Sequence, residues 1–142
     1  MMNEIQSIID DAKVGVLATV DSSNLPHLRW VTPGLLKDHP RSIFIITSPA
    51  FAKAIHAKDN PKVEWMLQTR ALDKVVNATG IISILDNPSL KSEVLEVVGA
   101  RLRTFWHVSQ DKHTMIVMET VLENATHFLP AKGKKETVSF AK

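Results

Sequence analysis

Ile43-Phe44-Ile45-Ile46-Thr47-Ser48-Pro49-Ala50-Phe51-Ala52-Lys53-Ala54-Ile55-His56-Ala57-Lys58-Asp59-Asn60-Pro61 is the most informative stretch of the chain. A short apolar run ends in two hydroxyl residues, and a proline comes immediately after them. The run reads as a strand over 42–47, and the residues after it read as a helix over 49–58. Ser48 suits the N-cap and Pro49 the first helical position. Asn60-Pro61 stops the helix, because the residue before a proline is pushed out of the helical region. A strand that hands over to a helix N-terminus presents free N–H groups and a positive dipole end, an arrangement that takes anions. Lys53 adds a full positive charge in the first turns. An ordinary capped helix has the same pattern, so the stretch fixes a β–α corner and leaves anion binding open.

Upstream, Val14-Gly15-Val16-Leu17-Ala18-Thr19-Val20 is an apolar strand and Asp21-Ser22-Ser23-Asn24 a polar turn. Leu25-Pro26-His27-Leu28-Arg29-Trp30-Val31-Thr32-Pro33 returns as a second strand, giving a hairpin. Arg29 stands there among apolar neighbours and needs a partner, because an unpaired charge is costly to bury. A carboxylate or an acidic ligand meets that need, and the guanidinium fork suits phosphate oxygens. His27 lies two residues before Arg29, so on a strand both share a face.

The rest of the chain reads as β-rich with two further helices. Asn3 to Ala12 is amphipathic through Ile5, Ile8 and Ile9, with Asn3 and Gln6 at capping-box spacing. Strands are expected at about 14–20, 26–32, 42–47, 62–68 and 72–85. Asn87-Pro88 opens a third helix, with Leu90, Val94 and Val97 or Val98 on one face and Gly99 as its end. Late strands are expected at about 104–109, 114–119 and 122–128, then a basic tail over 132–142 holding Lys132, Lys134 and Lys135. Six or seven strands with three short helices predict a mainly β (α+β) fold, a closed or split antiparallel barrel. A barrel this small fills its own interior, so a large ligand sits outside it.

The 142 residues suit one domain, and 44% apolar content is enough for a core. No cysteine is present, which removes disulfides, thiolate metal sites and cysteine nucleophiles together. The six histidines, His27, His39, His56, His107, His113 and His127, form no His-x-x-x-His, so no metal site is expected. Glycine-rich nucleotide loops and the Gly-x-Ser-x-Gly elbow are both missing. With a net charge of +2 and scattered basic residues, nucleic acid is not an expected partner. The N-terminal residues do not read as a signal peptide, and no apolar run approaches the ~18 residues of a membrane span. A cytoplasmic protein is therefore expected.

The order of these features is hairpin, Pro26-x-x-Arg29-x-Val31, an apolar strand ending in Thr47, then Lys53, then Asn60-Pro61. That order resembles the pyridoxamine 5′-phosphate oxidase-like family of FMN-binding split barrels, and within it the small general stress protein branch. The resemblance runs from about Glu4 to Pro130. It implies a single split barrel of six antiparallel strands with FMN as cofactor. It places Arg29 on the FMN phosphate and Trp30, Val31 and Thr32 along the flavin. Ile46 and Thr47 map onto the family's strand-end pair, and Lys53 onto its helix lysine. Phe51 stands where the family has serine and Ala52 where it has arginine, so Thr47 and Ser48 are expected to supply the missing polar groups. Val75 replaces the flavin-contacting glutamine, and the oxidase's C-terminal substrate motif has no counterpart. Pyridoxamine phosphate oxidase activity is therefore not expected.

The resemblance also implies a homodimer with FMN at the subunit interface. Trp30, Phe44 and Trp65 are large apolar residues in or near strands and are available to face a partner; read singly, each is better taken as ordinary core. Two functions are open. One is an FMN-dependent oxidoreductase with a stress-related role, reduced by a nicotinamide donor; no catalytic residue in the chain is then required. The other is a non-catalytic carrier or sensor for flavin, haem or a deazaflavin.

Overall fold

A computed structural model describes residues 1–54, 60–105 and 115–140. Helix α1 (Met2–Ala12) comes first, then strands β1 (Gly15–Val20), β2 (Pro26–Val31) and β3 (Ser42–Thr47). Helix α2 (Pro49–Ala54), strands β4 (Lys62–Gln68) and β5 (Val75–Leu85) and helix α3 (Pro88–Phe105) come next. Strand β6 (Ile116–Leu129) then leads through a 3-10 turn (Pro130–Lys132) into β7 (Lys134–Ser139).

All pairings are antiparallel, in the order β2-β1-β4-β5-β6-β3, with β7 added on β6. The two ends of this path meet at one bridge. Gly34, just beyond β2, exchanges both backbone hydrogen bonds with Phe44 of β3 at 2.8 Å. The sheet thus curls into a barrel whose β2–β3 side is joined at that bridge, the split barrel that the sequence predicts. Only glycine serves at position 34, because a Cβ there would lie 2.6 Å from Cγ1 of Val98 on α3.

Two apolar clusters hold the barrel. Its interior takes Ile5, Ile8 and Ile9 of α1, alternate residues of the strands and the fully buried Trp65. The Trp65 indole N–H donates to Thr120 Oγ1 at 3.1 Å, which satisfies its polar atom and ties β4 to β6. Outside the barrel, Leu90, Val94 and Val98 of α3 pack on Phe44, Ile46 and Val117. Every residue of β3 is therefore buried, with one face turned into the barrel and the other under α3.

Several expectations are corrected. Met1, not Asn3, is the N-cap of α1, no side chain caps it, and Gln6 bonds Asp10 instead. α3 continues through Gly99 to Phe105, so it is not short and residues 104–105 are helical. A glycine ends a helix when it takes the left-handed conformation, and Gly99 does not. The two expected strands over 114–128 are one long strand, β6. The expected basic tail is, through Ser139, strand β7, with Lys135 over the Phe128 ring at 5.4 Å. Phe44 and Trp65 are fully buried, in agreement with the core reading of each, whereas Trp30 is exposed, which corrects it. His56, Trp106, His107 and His113 lie outside the described residues.

Candidate anion site at the open side of the barrel

β2 is the first strand of the sheet path and pairs only with β1. Its register sets Arg29 opposite Leu17 and His27 opposite Thr19, on the face turned toward the barrel interior. Trp30 and Leu28 alternate to the outer face and are 73% and 74% exposed. Arg29 Nη2 donates to Thr19 Oγ1 at 3.2 Å, and its guanidinium carbon lies 5.1 Å from the centre of the Phe51 ring on α2. Partial burial pulls the guanidinium below its ordinary pKa without discharging it. Among the described residues Arg29 makes no ion pair.

The β3–α2 corner faces this strand through Phe51. Ser48 accepts the Phe51 N–H on its Oγ at 3.2 Å, so it is the expected N-cap, with Pro49 first in the helix. That hydroxyl is therefore already engaged, and the described part of α2 is six residues long. The Ser48 hydroxyl thus caps the helix and is not free to hold an anion. Thr47 is different: its Oγ1 is buried and has no hydrogen-bond partner among the described residues. A buried hydroxyl is normally satisfied, so an orphan one marks a place for another group. Lys53 is exposed and unpaired among the described residues, two positions beyond Phe51.

The remaining predicted site residues divide. Val31 packs partly buried against the barrel core and Thr32 is buried. Ile46 turns the other way from Thr47, into the cluster under α3. Arg29, Thr19 and Phe51 are thus brought together, while Trp30 and Ile46 point their side chains elsewhere. Sequence reading missed Thr19 and Phe51 as neighbours of Arg29, since pairing register and the packing of a helix decide them. It also missed Asp21, whose Oδ2 lies 2.8 Å from His27 Nε2. Asx-turn spacing in Asp21-Ser22-Ser23 was the available signal. No group of three or more metal-ligating side chains occurs among the described residues. A groove of about 740 Å³ lies between Pro49, Leu85, the start of α3 and Ile116, and is lined by none of the predicted residues.

A split barrel whose strand β2 carries a partly buried arginine, without an ion pair among the described residues, defines the class. The family model described as pyridoxamine 5′-phosphate oxidase matches residues 1–127, and the chain belongs to that family. Among solved structures, general stress protein 26 from Bacillus anthracis str. Sterne is similar at 20% identity and a TM-score of 0.73, covering 98% of each chain. A pyridoxamine 5′-phosphate oxidase-related, FMN-binding protein from Nostoc punctiforme is similar at 15% identity and a TM-score of 0.69, covering 99% of this chain and 96% of that one. A heme-binding protein from Mycobacterium smegmatis matches at 17% identity and a TM-score of 0.69, with 97% of this chain and 57% of that chain covered. No curated protein matches the sequence.

Proposed function

We propose that this protein binds FMN and acts as a flavin-dependent oxidoreductase with a stress-related role. The observation that carries the reading is Arg29, a partly buried cation with a hydroxyl and an aromatic ring for neighbours and no carboxylate partner among the described residues. A charge in that position calls for an anion, and a phosphate monoester meets a guanidinium with two oxygens. The unpartnered Thr47 hydroxyl and the unpaired Lys53 ammonium are the further groups that fit a phosphate. Arg29 would hold it, Lys53 would add charge from the solvent side, and Val31 and Thr32 would bound the ring system. When bound, the flavin supplies the redox chemistry, taking hydride from a donor such as a reduced nicotinamide. The chain's own part is to bind, orient and shield. The cofactor lies at the interface of a homodimer in this reading, which the bare outer face of β2 supports.

Phe51 favours a second reading. Its ring lies over the guanidinium where a smaller polar residue would leave room for phosphate oxygens. That substitution suits a carrier or sensor of flavin, haem or a deazaflavin without turnover. The visible spectrum of the purified protein, with extraction of any chromophore, tests both. Flavin absorbance bleached by reduced nicotinamide supports the oxidoreductase. A flavin that is held but not reduced, or an extracted haem or deazaflavin, supports the carrier. A colourless protein that ignores added FMN overturns the FMN reading.

A further inference from the structure

Beside Arg29 stands a second pair of groups that the FMN reading does not use. Asp21 opens the β1–β2 turn, and its Oδ1 accepts the N–H groups of Ser23 at 2.8 Å and Leu25 at 3.0 Å. The Asn60 side chain donates to the Asp21 carbonyl at 2.7 Å, so the turn is held from outside as well. The other carboxylate oxygen, Oδ2, takes His27 Nε2 at 2.8 Å. This leaves Nδ1 of His27 as the ring atom without a partner among the described residues. Arg29 is two residues along the same strand face, and its Nη2 bonds Thr19, the residue directly opposite His27. The guanidinium therefore reaches back toward the imidazole, since directly opposed side chains are about 5 Å apart at Cβ. Among the described residues, the charged groups facing His27 are Asp21 from the turn and Arg29 from β2, and β1 sets the neutral Thr19 opposite it.

We infer that His27, oriented by Asp21, is a second ligand of the anion that Arg29 binds, effective when its ring is protonated. This rests on the anion reading of Arg29. A carboxylate that holds Nε2–H fixes the ring, so Nδ1 is the atom that differs between the neutral and the protonated ring. Protonated, Nδ1–H is a charged donor; neutral, the same atom is an acceptor that opposes an anionic oxygen. Anion affinity then has a component that protonation of this ring switches on, and a neutral ligand does not feel it.

The test titrates FMN and riboflavin into the full chain, His27→Gln and Arg29→Ala at about pH 6 and about pH 8, the range over which an imidazole changes charge. Glutamine keeps a donor for Asp21 and cannot become charged. Titration of the FMN phosphate is common to all proteins and cancels in their ratio. His27→Gln is expected to weaken FMN by about 3- to 10-fold at the lower pH, the range of a solvent-touched charge-assisted contact, and to leave it nearly unchanged at the higher. Riboflavin affinity stays equal throughout. If Arg29→Ala weakens FMN and His27→Gln binds as wild type at both pH values, the His27 inference is overturned and the anion reading survives. If His27→Gln weakens FMN and riboflavin alike, His27 only shapes the turn and the inference is again overturned. If Arg29→Ala leaves FMN unaffected, both fall together.

Discussion

Arg29 and Asp21 show how neighbours decide what a charged side chain does. Arg29 has lost part of its water and, among the described residues, has gained Thr19 and Phe51 in exchange. Replacing it by alanine is expected to weaken FMN by about 1.5–3 kcal/mol, roughly 10- to 150-fold in Kd, the usual cost of a lost charge-assisted contact. Fluorescence titration reads this, and an unchanged Kd removes Arg29 from the site. Lys53→Ala is expected to do less, and to FMN rather than riboflavin, because an exposed ammonium is a mobile point charge. Asp21 is the opposite case, a carboxylate with every oxygen engaged. The His27 hydrogen bond first, then the N–H groups of Leu25 and Ser23, hold its carboxyl below the ordinary aspartate range. A depressed folded pKa means that this stabilisation is present above the unfolded value of about 3.9 and disappears as pH falls through the folded one. Asp21→Asn should therefore lower Tm at neutral pH. The gap should begin to narrow as pH falls below about 4 and close at lower pH still, once the folded carboxylate is protonated, whereas a gap constant with pH contradicts the assignment.

The elements owe their positions to close approach as much as to pattern. β3 is apolar on both faces because α3 covers one and the barrel interior fills the other. α3 lies near enough for this because Gly34 has no side chain under Val98. Gly34→Ala forces a methyl group into that contact and is expected to cost about 1–3 kcal/mol in denaturant unfolding. Val98→Ala relieves the clash, so the double variant should lose less than the two single losses added together. Strict additivity would mean that the helix shifts freely and the contact sets nothing.

For the molecule as a whole, the uncovered surface is the informative one. Leu28, Trp30 and Leu72 are exposed large apolar side chains on or beside the outer face of β2, β1 and β4, with Val16 and Met66 between them lining a shallow hollow around Trp30. Apolar patches of this kind on a bare sheet mark association surfaces. A second copy is the expected occupant, with twofold symmetry. Light scattering should give about twice the 15.8 kDa chain mass, and Trp30→Glu should return it to the single-chain value with the strand signal in circular dichroism intact. A stable monomer that still binds FMN tightly would contradict an interface site.

Local chemistry was legible in the sequence where it acts alone. The strand over 42–47, the strand over 62–68, the Ser48-Pro49 corner and the Asn87-Pro88 helix start all come from periodicity and capping. These are short-range effects, written in adjacent residues. The Ile5, Ile8 and Ile9 stripe was legible for the same reason. Burial of Trp65 and Phe44 agrees with the core reading of each, but exposure of Trp30 was not legible, because an aromatic residue in a strand looks the same facing the core or the outside; only the curl of the sheet decides. Nor was the continuation of α3 past Gly99, since a glycine's φ is set by the residues packed around it and not by the glycine itself. At the site, the sequence alone determined that an arginine sits in an apolar strand and that a capped corner succeeds β3. Only the tertiary structure decided that Phe51 and Thr19 surround Arg29, that Ile46 turns under α3, and that Asp21 holds His27 on the same face. Thr19 and Phe51 belong to elements well separated along the chain, and pairing register between distant strands is fixed by closure of the barrel, not by neighbours in sequence.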